Sequence, residues 1–148
     1  MRYAKIRKMD VSNGDGLGVS LFVQGCHFHC PQCFNSETWD FNGGQEFTKD
    51  VATQFCSLLE NPYIKRVSIL GGEPLCEENF IIVMLLINHI KLSFPDKKIW
   101  IWTGFTLEEL LLNYSHLSIF NIFKKIDVLV DGRFEYAKKD LSLKYCGS

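Results

Sequence analysis

The chain has 148 residues, 47% hydrophobic and 22% charged, which is enough for one buried core and too short for two independent domains. Lys plus Arg number 16 against 17 Asp plus Glu, a formal net charge of -1, so no field of either sign stands out and no nucleic-acid partner is expected. The start Met1–Lys8 lacks the apolar core of a signal peptide, and the longest apolar run, Phe80 to Ile87, falls short of the roughly 18 residues of a membrane span, so the expectation is a cytoplasmic protein with no membrane partner.

Along the chain, Tyr3–Met9 and Val19–Gln24 read as strands, with the turn residues Asn13-Gly14-Asp15-Gly16 between them. Thr48 is placed to cap a helix reaching about Glu60, with Val51, Phe55, Leu58 and Leu59 on one face. Arg66–Leu70 is a short strand of the buried kind, ending at Gly71-Gly72. A helix follows from about Glu77 to Phe94, stopped by Pro95. Its Phe80–Ile87 run is apolar nearly all round, which predicts cover on more than one side. Lys98–Trp102 is a strand, Thr106-x-x-Glu109 is a capping box opening a further helix, and a weaker helix near Leu117–Lys124 leads to the strand Ile126–Val130.

Strand and helix in alternation predict an α/β fold with a mostly parallel sheet. A complete eightfold barrel takes about 250 residues, so the expected architecture is a partial (β/α) barrel, open on one side. Reactive groups in such sheets gather in loops at the carboxyl ends of the strands. The cysteine-rich segment after Gln24, Gly71-Gly72-Glu73-Pro74, Thr103-Gly104 and Asp131-Gly132 all fall at such ends, which predicts one composite site.

Six cysteines are present, and Cys26, Cys30 and Cys33 crowd into eight residues while Cys56, Cys76 and Cys146 are scattered. This is the spacing of ligands rather than of disulfide staples. Three thiolates suit zinc or an iron–sulfur cluster. A cubane cluster ordinarily takes four cysteines, so three leave one iron open, as a catalytic site requires. A closed zinc site needs a fourth ligand, and His27 and His29, each adjacent to a cysteine, are awkward candidates. A zinc knuckle with a distant ligand and an inert thiol trio remain alternatives on spacing alone. In Gly71-Gly72-Glu73-Pro74 the glycines let backbone approach a ligand closely, and Glu73 places a carboxylate at the site mouth to accept hydrogen bonds from an ammonium group. Cys56 and Cys76 read as packing thiols and Cys146 as an exposed terminal one. His89 and His116 read as satisfied or solvated, and Trp39, Trp100 and Trp102 as core and wall. Asp131 suits a turn as well as a ligand.

The C-x3-C-x2-C loop at Cys26, Cys30 and Cys33 resembles that of the radical S-adenosylmethionine enzymes. Asn13-Gly14, the run Gln24-Gly25-Cys26-His27-Phe28-His29-Cys30-Pro31-Gln32-Cys33-Phe34-Asn35, Thr38-Trp39, Gly71-Gly72-Glu73-Pro74-Leu75, Trp102-Thr103-Gly104-Phe105 and Val130-Asp131-Gly132-Arg133-Phe134 narrow the resemblance to the glycyl-radical-enzyme activases. At this length and in this order they look like the branch serving anaerobic ribonucleoside-triphosphate reductase. The resemblance covers the chain from about Met9 onward and implies a single radical S-adenosylmethionine domain over residues 1–148, with a tail shorter than in relatives.

It further implies that Cys26, Cys30 and Cys33 hold a [4Fe-4S] cluster whose open iron is chelated by the amino and carboxylate groups of S-adenosyl-L-methionine. Gly72 and Glu73 would contact the methionine end, the backbone around Gln32, Cys33 and Phe34 would line the cofactor, and Thr103 would bond its ribose or adenine. Reductive cleavage would give a 5′-deoxyadenosyl radical that takes hydrogen from a glycine of the reductase catalytic subunit, with electrons from a low-potential donor such as flavodoxin. A barrel too short to close would leave a side open for that protein substrate. The alternatives are an activase of another glycyl-radical enzyme such as pyruvate formate-lyase, a zinc-stapled interaction module and a plain electron carrier. Two departures stand out. Relatives often carry Asn-Gly-Pro-Gly followed by Arg where this chain has Asn13-Gly14-Asp15-Gly16-Leu17-Gly18, and Cys146-Gly147-Ser148 has Cys where they tend to have Arg.

Overall fold

Val19, Leu21 and Val23 alternate with Ser20 and Phe22 in a strand whose residues are all buried, so both of its faces are covered. The computed structural model describes residues 1–148, the side chains of His116 and Leu117 excepted. The expectation for His116 therefore lies outside the described residues.

The first two predicted strands are present as β1 (Arg2–Asp10) and β2 (Gly18–Val23), paired antiparallel with Ile6 opposite Leu21. β3 (Gln45–Glu46) pairs antiparallel with β1 and was not expected. Two polar residues carry no alternation signal, and the strand is held from outside by the Arg2 guanidinium donating to the Gly43 and Gly44 carbonyls at 2.7 Å each. Thr48 caps α1 (Lys49–Ser57) by accepting from the Val51 amide, and the predicted continuation to Glu60 is a 3-10 turn over Leu58–Glu60.

The rest alternates as expected: β4 (Arg66–Gly71), α2 (Glu77–Ser93), β5 (Lys98–Trp102), α3 (Leu107–Asn113), α4 (His116–Phe123) and β6 (Val128–Val130). The Thr106 hydroxyl accepts from Glu109 N while the Glu109 carboxylate accepts from Thr106 N, completing the capping box of α3. β2, β4, β5 and β6 are parallel neighbours, with Val19 opposite Val67, Val67 opposite Ile99 and Ile101 opposite Leu129. The sheet order is β3-β1-β2-β4-β5-β6, so the sheet is mixed, mostly parallel and not closed.

Val19, Leu21, Val67, Ile69, Ile99 and Ile101 pack with Phe55, Leu59, Val83, Ile87, Ile90 and Leu110 of the helical layer, each contributing roughly 1.5–3 kcal/mol. The prediction that α2 is covered on more than one side is corrected. Phe80, Val83, Leu86, Ile87 and Ile90 face the core, but Ile81, Leu85 and Leu92 are 56%, 54% and 84% exposed. One sheet covers one stripe of a helix, and no second layer lies over α2 among the described residues.

The alternate strand residues build the other face. Arg66 is 0% exposed and donates to Ser68 Oγ (2.6 Å) and the Asp10 carbonyl (2.8 Å), with the Asp10 carboxylate 3.9 Å away. Asp10 also accepts from the amides of Ser12 and Asn13, the Asn13 side chain and the Ser20 hydroxyl. Burial pushes its carboxyl up, but the Ser20, Asn13 and Ser12 hydrogen bonds and the Arg66 charge outweigh it and hold the group below its usual range. This buried knot secures the Asn13–Gly18 turn at the amino ends of β2 and β4.

Candidate cluster and cofactor site

Beyond β2 the chain leaves the sheet at Gly25 (φ 95) and runs through the cysteine segment, where His29 (φ 47) and Gln32 (φ 56) take left-handed conformations that curl it. Gly25 N donates to Thr38 O (2.8 Å), Cys26 N to Trp39 O (3.1 Å) and Cys33 N to Cys30 O (3.0 Å), so the loop is closed on itself and on the Ser36–Thr38 turn. Cys26, Cys30 and Cys33 are half-buried free thiols, and all three open onto one cavity of about 490 Å³, within the usual range for ligand sites. Burial raises the Cys26 thiol above its ordinary value, against hydrogen bonds from the Phe28 and His29 amides.

The same cavity is walled by Gly71, Gly72 and Glu73 from the end of β4, Trp102, Thr103 and Gly104 from the end of β5, and Val130–Phe134 from the end of β6. The predicted gathering of loops at the carboxyl ends is therefore what the sheet produces. Gly72 sits where a Cβ would come within 2.4 Å of Gly25 O, so the two loops approach as only glycine permits. Glu73 N donates to that same oxygen at 2.7 Å.

Glu73 is 2% exposed, so the expectation of an open carboxylate at the site mouth is corrected: the group is set into the wall. It accepts from Leu75 N (2.9 Å), Thr103 Oγ1 (2.7 Å) and Gly104 N (2.7 Å). Burial raises its carboxyl to about 7, opposed by the Gly104, Leu75 and Thr103 hydrogen bonds and by the Arg133 charge. Thr103 has committed its hydroxyl proton to Glu73 and accepts from Phe105 N, so it positions the carboxylate. Phe34 lines the cavity and is 57% exposed, whereas Gln32 is exposed and not among the lining residues.

Other sequence expectations are placed as follows. Cys56 and Cys76 are buried; the Cys76 thiol is pushed up to about 12, chiefly by burial, and donates to Glu73 O at 3.1 Å. His27 pairs with Glu78 (2.8 Å), and His29 lies tilted against Trp39. His89 is exposed, Trp100 is buried, and Trp39 and Trp102 are cavity wall. Asp131 accepts from Leu107 N at 2.9 Å, steadying the start of α3.

Sequence reasoning missed Asn79 and gave Arg133, quoted only within a motif, no role of its own. Asn79 donates to both Gln24 O and Glu73 O at 3.0 Å, tying the end of β2 to the turn after β4; a polar residue inside an apolar helix was the signal. Arg133 stands 4.4 Å from the Phe28 ring centroid and 2.8 Å from Glu109 Oε1, and it places a positive charge over the site.

The donor set suits an iron–sulfur cluster. Three free thiols share a cavity, and thiolates are the ligands such a cluster takes.

Comparison with known proteins defines the class. Residues 12–148 match the family described as a 4Fe-4S single cluster domain. The chain is 40% identical over 150 aligned positions to the anaerobic ribonucleoside-triphosphate reductase-activating protein of Escherichia coli (strain K12), covering 100% of this chain and 94% of that protein. It is 37% identical to the protein of that name from Vibrio cholerae over the same shares. It is 36% identical to that of Enterobacteria phage T4, over 91% of this chain and 82% of the relative. The chain belongs to the family of anaerobic ribonucleoside-triphosphate reductase-activating proteins.

Proposed function

We propose that the chain is a radical S-adenosylmethionine activase, a single domain over residues 1–148 in a partial barrel, that installs a glycyl radical on the catalytic subunit of an anaerobic ribonucleoside-triphosphate reductase. The observation that carries the reading is the opening of Cys26, Cys30 and Cys33 onto one cavity whose wall holds Gly72 and Glu73. When bound, a [4Fe-4S] cluster supplies one electron, drawn from a low-potential donor such as flavodoxin, for reductive cleavage of S-adenosyl-L-methionine, and hydrogen abstraction from a partner glycine follows.

The chain's part is placement. Cys26, Cys30 and Cys33 would each ligate one iron of the cluster and leave the fourth without a protein ligand. The Glu73 carboxylate, held by Leu75, Thr103 and Gly104, has its charge directed at the ammonium of the methionine end. A cation there stabilises the ionised form that burial disfavours, so ligand binding and ionisation of Glu73 reinforce each other. Gly72 keeps that wall free of side chain, and the chain at Cys33 and Phe34 borders the cofactor. Phe28, packed edge-on against Phe105 at 4.8 Å, shields the site from water. The open sheet leaves a side from which a partner's backbone can reach the cavity.

The test is an EPR spectrum of the anaerobically reconstituted, reduced protein with and without S-adenosylmethionine. A cluster signal that changes shape on addition is expected. An unchanged signal would leave an electron carrier, and zinc in place of iron would retire the reading.

A further inference from the structure

Four of the six cysteines open onto the one cavity: Cys26, Cys30, Cys33 and, more than a hundred residues later, Cys146. The segment that brings Cys146 there is fastened at several points. Trp102 Nε1 donates to the Tyr145 carbonyl at 2.6 Å, the Tyr145 ring meets Trp100 edge-on at 4.9 Å, and the Tyr145 hydroxyl bonds the Asp15 carboxylate. Glu135 N donates to Ser148 Oγ at 3.0 Å. Gly147 lies so close to the Phe34 and Phe134 rings that a Cβ would come within 2.8 and 3.0 Å of them, and Phe34 directly follows Cys33. The chain reaches this position by turning at Tyr145 with φ 68, a left-handed conformation that a bulky aromatic residue adopts only when its surroundings impose it. Cys146 itself is an exposed free thiol.

We infer that Cys146 is a fourth, exchangeable thiolate for the cluster, occupying the iron that Cys26, Cys30 and Cys33 leave without a protein ligand. This rests on the cluster reading above. Thiolate is the ligand iron–sulfur clusters take most readily, and four per cubane is the ordinary number. Binding forms an Fe–Sγ bond and releases the thiol proton. When S-adenosylmethionine arrives, its amino and carboxylate groups form bonds to that iron and the Fe–Sγ bond breaks. The sulfur leaves with the bonding pair and takes a proton from solvent, and no electron changes hands. Residues Tyr145–Ser148 thus protect the cluster between turnovers and compete with the cofactor for one coordination position.

The experiment compares the full chain with Cys146→Ala, both reconstituted anaerobically with iron and sulfide and kept free of S-adenosylmethionine. Each is treated with ferricyanide, a one-electron oxidant. An oxidised cubane with an unprotected corner sheds that iron as Fe²⁺ and leaves a three-iron cluster visible by EPR. The three-iron signal is expected to be several-fold larger in Cys146→Ala, and a titration with S-adenosylmethionine followed by the reduced-cluster EPR should saturate at several-fold lower concentration. Equal three-iron signals in the two proteins overturn the role of Cys146, whatever the titration shows. A chain that assembles no cluster in either form overturns the cluster reading itself, and this inference with it. Because Cys146 is exposed, its replacement leaves the core intact.

Discussion

Replacing Gly72 by Ala tests whether the thiol loop and the Glu73 turn are locked together by backbone contact. A Cβ at Gly72 would lie 2.4 Å from Gly25 O and 3.0 Å from Thr38 O, both main-chain atoms that cannot swing aside. Forcing them apart costs about 1–3 kcal/mol of overpacking. It also stretches the 2.7 Å bond from Glu73 N to Gly25 O, worth about 0.5–1.5 kcal/mol. The expected destabilisation is therefore about 2–4 kcal/mol. At an unfolding entropy of about 2.1 cal/mol/K per residue, a chain of 148 residues should melt about 6–13 °C lower. The assay is thermal unfolding of the metal-free protein by circular dichroism under anaerobic conditions, with Gly132→Ala as the control. A Cβ at Gly132 meets nothing within 4 Å, although its φ is 94, so only a backbone cost of about 1–2 kcal/mol, about 3–6 °C, is expected there. If Gly72→Ala melts no lower than Gly132→Ala, the contact between the two loops does not lock them.

Three further outcomes follow from the same geometry. Cys30→Ala should assemble no stable four-iron cluster while its far-UV circular dichroism stays unchanged, because the residue sits in a loop outside the core; a full iron complement would remove Cys30 from the ligand set. Glu73, raised to about 7 from an ordinary 4.5, makes the folded metal-free chain bind more protons than the unfolded chain between those values. Stability should then fall as pH rises through that window, by on the order of 3 kcal/mol. Glu73→Gln should flatten the profile measured by urea unfolding, and parallel profiles would contradict the assignment. Asp10→Ala leaves the fully buried Arg66 without its carboxylate and should cost about 3–5 kcal/mol. The double variant Asp10→Leu with Arg66→Met should recover most of that in the same assay, and no recovery would mean that Asp10 acts through the turn alone.

Where local chemistry decides, the sequence was sufficient. The strand Lys98–Trp102 has the predicted bounds, the Thr48 cap and the Thr106–Glu109 capping box are formed, and the loops at the strand ends meet in one cavity. What was not legible depended on contacts distant in the chain. β3 exists because Arg2 reaches Gly43 and Gly44. The apolar run in α2 says how hydrophobic each residue is but not how many layers lie over the helix. The pattern of Gly71-Gly72-Glu73-Pro74 placed a carboxylate at the site, yet its burial comes from Thr103 and Gly104 some thirty residues later. Arg66 read as one residue of a short strand, and only the Asp10 knot shows why a cation is tolerated at zero exposure.

The two halves of the site differ in how far along the chain their parts lie, and that sets an order of assembly. Cys26, Cys30 and Cys33 sit within eight residues, on a loop tied locally to Thr38 and Trp39 and at longer range through Gly25 O to Glu73 N and through His27 to Glu78. Glu73 is held only once β4 and β5 lie side by side, because Thr103 and Gly104 come with β5. Contacts close in sequence form before those that need long loops to close. The short-range bonds of the thiol loop can thus form while the sheet is still incomplete, whereas its ties to Glu73 and Glu78, like the carboxylate wall, come with the sheet.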